Sequence, residues 1–160
     1  NIGSMVGVVN ANQIEQKVMQ ILQQLNEKQT LIQQYEHKML REYATKVSQL
    51  KFEVKNLACV VHVVDSSITS SLKGLSDLLG HQHHIDIVAL IEKTEQKLSY
   101  IVSTSQKAIE LGYDASSVVK ELNTFTLGRG GGKKDFAQGG TTSEIEPNSI
   151  VDHLKVHLNH

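Results

Sequence analysis

From Ala11 to Leu79 the chain contains no proline and a single glycine, Gly74, so nothing in the backbone forces a break across nearly seventy residues. Such a stretch predicts one long helix, roughly 100 Å at about 1.5 Å rise per residue. The further question is whether its apolar residues repeat every 3.5 positions, as a helix seam requires.

From Leu40 onward the spacing fits. The a positions read Leu40, Val47, Val54, Val61, Ile68 and Leu75, and the d positions Tyr43, Leu50, Leu57, Val64, Ser71 and Leu78. Branched residues at a with leucine at d favour a parallel two-stranded coil. The predicted dimer seam is therefore Leu40, Val47, Leu50, Val54, Leu57, Val61, Val64, Ile68, Leu75 and Leu78. Upstream, Val18, Leu25, Ile32 and Met39 at a and Ile14, Ile21, Lys28 and Tyr35 at d run in a register offset by one residue. An irregularity is expected near Met39 and Leu40, either local unwinding or a helix that ends and restarts.

Composition supports long helices over a compact core, since aromatics are 4% of residues, tryptophan is absent and there is one proline. The stretch Leu57 to Val64 is apolar on nearly every face, more than a two-stranded seam needs. A buried β-strand would explain it, but the continuous flanking heptads favour a helix enclosed in a bundle. Gly80 then suits a helix end, His81 to His84 a polar turn, and Asp86 the cap of a return helix bearing Ile87, Ile91, Leu98 and Ile101. Gly112 stops that helix. Asp114 or Ser116 caps a third, with Val118, Val119, Leu122 and Phe125 on its apolar face.

The predicted fold class is all-α: a long helix forming a parallel coiled-coil dimer, shorter C-terminal helices folding back into a bundle, and a flexible tail. The segments are 1–9, a cloning remnant and disordered N-terminus; 10–79, the coiled-coil helix; 85–127, the return helices; 128–147, a glycine-rich flexible linker; and 148–160, a short amphipathic helix. In that last helix Ile150, Val151, Leu154 and Leu158 are the expected partner-binding residues.

Each chemical signal has a plainer reading. The run from Gly128 to Lys134 lacks phosphate-loop spacing, because Leu127 stands where a glycine is needed and Lys134 where a serine or threonine would hold magnesium. His81, His83 and His84, or His153 with His157, come without cysteine or a close carboxylate pair, so no metal is assigned. His62 among valines reads as a core histidine, and Cys59 as a buried thiol with only His62 one turn away as a base. The acidic residues are dispersed among lysines, as on solvated faces. No catalytic residue and no cofactor are assigned.

A formal net charge of −1 gives no basic field for a phosphate backbone. Arg129, Lys133 and Lys134 are too few for more than weak contact. The expected partners are a second copy or a related coiled-coil chain and other protein subunits, with no nucleic acid, and with membrane reached only through partners. A lone cysteine and the lack of a long apolar run suggest a cytoplasmic or nuclear protein. The expected role is non-enzymatic: an oligomerisation and scaffold subunit of a cytoskeletal, kinetochore-type or vesicle-tethering complex. The alternative is a membrane-associated helical protein of fusion or remodelling.

Overall fold

The computed structural model describes residues 11–67 and 71–159, in two units, Asn1–Lys38 and Met39–His160. The first segment expected, 1–9, and the seam residue Ile68 lie outside the described residues. Helix α1 is Ala11–Ser48 and passes through Met39 and Leu40 without interruption. Within the first unit its apolar residues Ile14, Val18, Ile21, Leu25 and Ile32 are each about half exposed.

The second unit is α/β, which overturns the all-α expectation. Strands β1 (Phe52–Val54) and β2 (Leu57–Val63) are followed by helix α2 (Leu72–His81), strands β3 (Ile87–Lys93) and β4 (Leu98–Thr104), and helices α3 (Gln106–Glu110) and α4 (Ala115–Thr126). Strands β5 (Arg129–Gly132) and β6 (Phe136–Thr141) and helix α5 (Pro147–Asn159) complete it. The six strands form one mixed sheet in the order β1-β2-β3-β4-β6-β5. Only β2 and β3 run parallel. A parallel pair needs a crossover, and α2 provides it.

The predicted coiled-coil helix therefore ends thirty residues early, at Ser48 rather than near Leu79. The cause is the valine-rich run. Leu57, Cys59 and Val61 enter one apolar cluster while Ala58, Val60 and Val64 meet another, so β2 is covered on both faces. A strand buried on both sides shows no alternation, and its β-branched residues suit the pleat better than a helix. The preceding turn is also hidden in the sequence, since Lys55 and Asn56 take left-handed φ of 51° and 65° without a glycine. Two such residues make the type I′ turn that matches strand twist.

The expected seam is thus spent inside one chain. Val47, Val54, Leu57, Val61, Val64 and Leu75 are buried, Leu40 and Leu78 are partly buried, and Leu50 is exposed in the turn after α1. The segment 85–127 is likewise no pair of return helices. Asp86 caps no helix: it precedes β3, its carboxylate accepting the Ala58 amide (3.0 Å) and the Ser105 hydroxyl (2.8 Å). Asp114 does cap α4, accepting the Ser117 amide at 3.1 Å. The hydrogen bonds of Asp114 with Ser117 hold its carboxyl below the ordinary carboxylate range.

The two faces are covered unequally. On one, α5 lies over β2 and β3 while α4 lies over β4, β5 and β6. Val118, Val119, Leu122, Ile150, Leu154 and Leu158 there join Ile87, Ile91, Tyr100 and Val102. On the other, the end of α1 and α2 bring Ala44, Val47, Leu75 and Leu79 onto Val60, Val88 and Leu90. Helix α2 packs chiefly on β3 and β4.

Candidate functional site

Beyond the main footprint of α2, the β6 and β5 end of that face lies open. Alternation along β6 sends Ala137 into the core and leaves Phe136, Gln138 and Gly140 on the open side. Beside them on β4 lie Ser99, Ile101 and Ser103, and α2 forms the wall with Lys73, Ser76 and Asp77. Two clefts result, of about 1040 Å³ and 860 Å³, sharing Lys73, Phe136 and Gln138. Lys97, Glu92 and Arg129 border the first, and Lys133, Asp135 and His81 the second.

The floor is paved by glycine for steric reasons. A methyl built on Gly130 would lie 2.3 Å from the Gln138 carbonyl oxygen, and one on Gly132 2.5 Å from the Ala137 Cα. On Gly128 it would meet the Gly140 oxygen at 2.6 Å. These are backbone neighbours that cannot swing aside. Gly131 differs, because nothing lies within 4 Å of its missing side chain. The Lys133 amide bonds the Phe136 carbonyl at 2.8 Å, so by antiparallel alternation the polar groups of Gly130 and Gly132 point off the sheet edge.

The hairpin of β5 and β6 is fastened from behind. The Asn123 side chain of α4 donates to the Gly130 carbonyl (3.1 Å) and accepts the Tyr100 hydroxyl. Thr126 accompanies that hydroxyl at 3.2 Å, and the Thr141 hydroxyl donates to the Thr126 carbonyl at 3.0 Å. At the turn, the Lys134 carbonyl accepts the Thr104 hydroxyl (2.6 Å) and the Ala115 amide (2.7 Å). Every residue from 128 to 141 that was expected to belong to a flexible linker is thereby part of a sheet hairpin and its supports. The missed signal was available as two glycine clusters flanking a short segment, Asp135 to Gln138, that contains the apolar pair Phe136 and Ala137.

The other sequence candidates do not converge. Cys59 is fully buried and its thiol is pushed up to about 11 by burial and the nearby Asp86 carboxylate, so it is no nucleophile at neutral pH. His62 lies 2.9 Å from the Tyr43 hydroxyl, which also accepts the Asp65 amide at 3.2 Å. Burial lowers the His62 pKa. His153 pairs with Glu121 at 2.9 Å and stacks on Phe125 with ring centroids 4.0 Å apart, a contact between α4 and α5. No group of three or more potential metal ligands occurs among the described residues. Ile150, Leu154 and Leu158, the expected partner-binding residues, are fully buried against their own sheet, with Val151 partly buried beside them.

A six-stranded mixed sheet with helices packed on both faces makes the second unit an α/β domain. Residues 56–158 match the DHHA1 domain, and the chain belongs to that family. Its curated relatives include alanine–tRNA ligases. That of Acholeplasma laidlawii (strain PG-8A) is 35% identical over 117 residues, 72% of this chain and 13% of the relative. That of Shouchella clausii (strain KSM-K16) is 33% identical over 88 residues, 55% of this chain and 10% of the relative. The chain thus spans little more than a tenth of these relatives' length. Among solved structures, the C-Ala domain from Aquifex aeolicus alanyl-tRNA synthetase shares the fold, with a TM-score of 0.57 and 24% identity. That match covers 69% of this chain and 98% of the other.

These findings overturn the scaffold and fusion readings, together with the cytoskeletal, kinetochore and vesicle associations drawn from heptad spacing. They also overturn the partner expectation, both the coiled-coil chain and the exclusion of nucleic acid. Among the described residues no helix is long and apolar enough to cross a membrane.

Proposed function

We propose that this chain is a tRNA-engaging accessory domain of an alanine–tRNA ligase type protein, cytoplasmic, with the aminoacylation chemistry residing outside this chain. The carrying observation is the open glycine-paved face of a DHHA1 domain, bordered by Lys73, Lys97, Arg129 and Lys133. Glycine lets a sugar-phosphate backbone approach the sheet closely, and the cations on the rim meet phosphates. The net charge of −1 misled because phosphate contact depends on where cations cluster, and it sums regions that never meet the ligand.

The test is a titration of the chain with tRNA at several salt concentrations, read by mobility shift or anisotropy. Binding should weaken with salt, with a slope of log affinity against log salt of about −2 to −3 for three or so phosphate contacts. Arg129→Ala with Lys133→Ala should weaken binding and flatten that slope. No binding at low salt, or a double variant that binds as tightly as the parent, would defeat the reading.

A further inference from the structure

Phe136 is an unusual floor for a cleft bordered by lysines. It is one of three phenylalanines in the chain, sits only partly buried, and lines both clefts. One edge of its surroundings rests on the apolar cluster beneath α2, and the Lys73 ammonium stands 5.6 Å from its ring centroid. Gln138 follows two residues on, on the same face and exposed, about 7 Å along the strand. Across from Gln138 in the sheet is Gly131, beside which there is empty space.

Resting on the tRNA reading, we infer that Phe136 is a stacking platform for one unpaired nucleobase of the bound RNA, whose edge the Gln138 amide reads in the room left by Gly131. Phosphate contacts alone need no aromatic ring. An aromatic ring on an open sheet among cations is how single-stranded bases are held, because every base has a π-face and a paired base keeps its own covered. The Gln138 amide carries both a donor and an acceptor, so it can discriminate between base edges where a lysine could not. Lys73, now over the ring, is free to turn to the phosphate of the stacked nucleotide.

The chain contains no tryptophan, so Phe136→Trp installs a single indole at the platform. Titration with tRNA should quench its emission saturably, with a midpoint matching the affinity of the parent chain. Phe136→Leu, which retains apolar volume over the core, should weaken tRNA binding roughly tenfold, and Phe136→Tyr should retain it. A hairpin RNA with an unpaired loop should compete, and a fully paired duplex of equal length should not. Oligonucleotides differing only in the unpaired base should rank differently, and Gln138→Ala should level that ranking. If the parent binds tRNA while the indole emission stays constant, or the leucine variant binds as tightly as the parent, the platform is overturned and the tRNA reading stands. Equal binding of all four bases by the parent removes Gln138 from the assignment. A parent chain that does not bind tRNA overturns the tRNA reading itself and the platform with it.

Discussion

At one edge of the sheet, β1 and β2 join through Lys55 and Asn56, and Val54 and Leu57 turn their side chains into the core. At the opposite edge, β5 carries almost no side chains and holds its neighbour by backbone proximity, with Asn123 and Tyr100 pinning it from behind. The first edge draws its stability from burying apolar surface, at about 1.5–3 kcal/mol for each fully buried valine or leucine. The second depends on steric fit and hydrogen bonds, which individually contribute about 1 kcal/mol. An edge built the second way stays flat and open, with room for a ligand that the first edge lacks.

The contrast can be broken by substitution. Leu57→Ala at the first edge should cost the most, about 2–5 kcal/mol, since it leaves a cavity between β2 and the α5 face, and thermal or urea unfolding would show it. If that variant melted like the parent, side-chain burial would not be what secures this edge. Gly132→Val at the second edge should cost roughly 1–3 kcal/mol through collision with Ala137, and should abolish tRNA binding as the hairpin separates. Gly131→Ala, one residue away, should leave the melting temperature almost unmoved. Equal effects at the two glycines would show that chain flexibility, and not close approach, explains them.

Asn123→Ala should fall slightly below the Gly132 change, about 1–2 kcal/mol, because it removes the acceptor of the Tyr100 hydroxyl, leaving that group only Thr126, and the side-chain donor to the Gly130 carbonyl. Amide exchange at β5 should rise more than at β2. The smallest effect is expected at His62, behind the first edge. Its folded-state pKa lies below the ordinary 6.5 because burial disfavours the charged ring. Between the two values the unfolded chain takes up a proton that the folded chain refuses. Stability is therefore full above about pH 6.5 and declines as pH falls through that value, levelling once the folded ring protonates too. The melting temperature should fall as pH drops through that window, and His62→Gln should flatten the profile there.

What was legible in the sequence divides along the same line. The cap at Asp114 or Ser116, of which the structure uses Asp114, and the apolar stripe Val118, Val119 and Leu122 could be read because a helix with one covered face announces its period. The run from Leu57 to Val64 could not, since a strand covered on both sides has no period, and the three-four spacing of Val47, Val54, Leu57, Val61 and Val64 arises from a helix end, a turn and a strand in succession. No glycine marks the turn at Lys55 and Asn56. The glycines of the candidate site are visible in the sequence and predict a flexible linker that buries little apolar area, whereas their use here is the absence of a Cβ where two backbones touch. Phe136 and Gln138 gave no signal until β6 placed them on the uncovered side.

The order of strands carries one more consequence, for how the chain reaches this state. Three of its five pairings join segments close in sequence, whereas β2 with β3 and β4 with β6 must each bring distant segments together. Local pairs close early and distant ones late. Refolding should then begin with the hairpin of β3 and β4, and the hairpin of β5 and β6, poor in apolar surface, should dock last. The open glycine-paved face would come into being only when everything beneath it is in place, so on the tRNA reading a newly made chain would acquire its ligand surface at the final step of maturation.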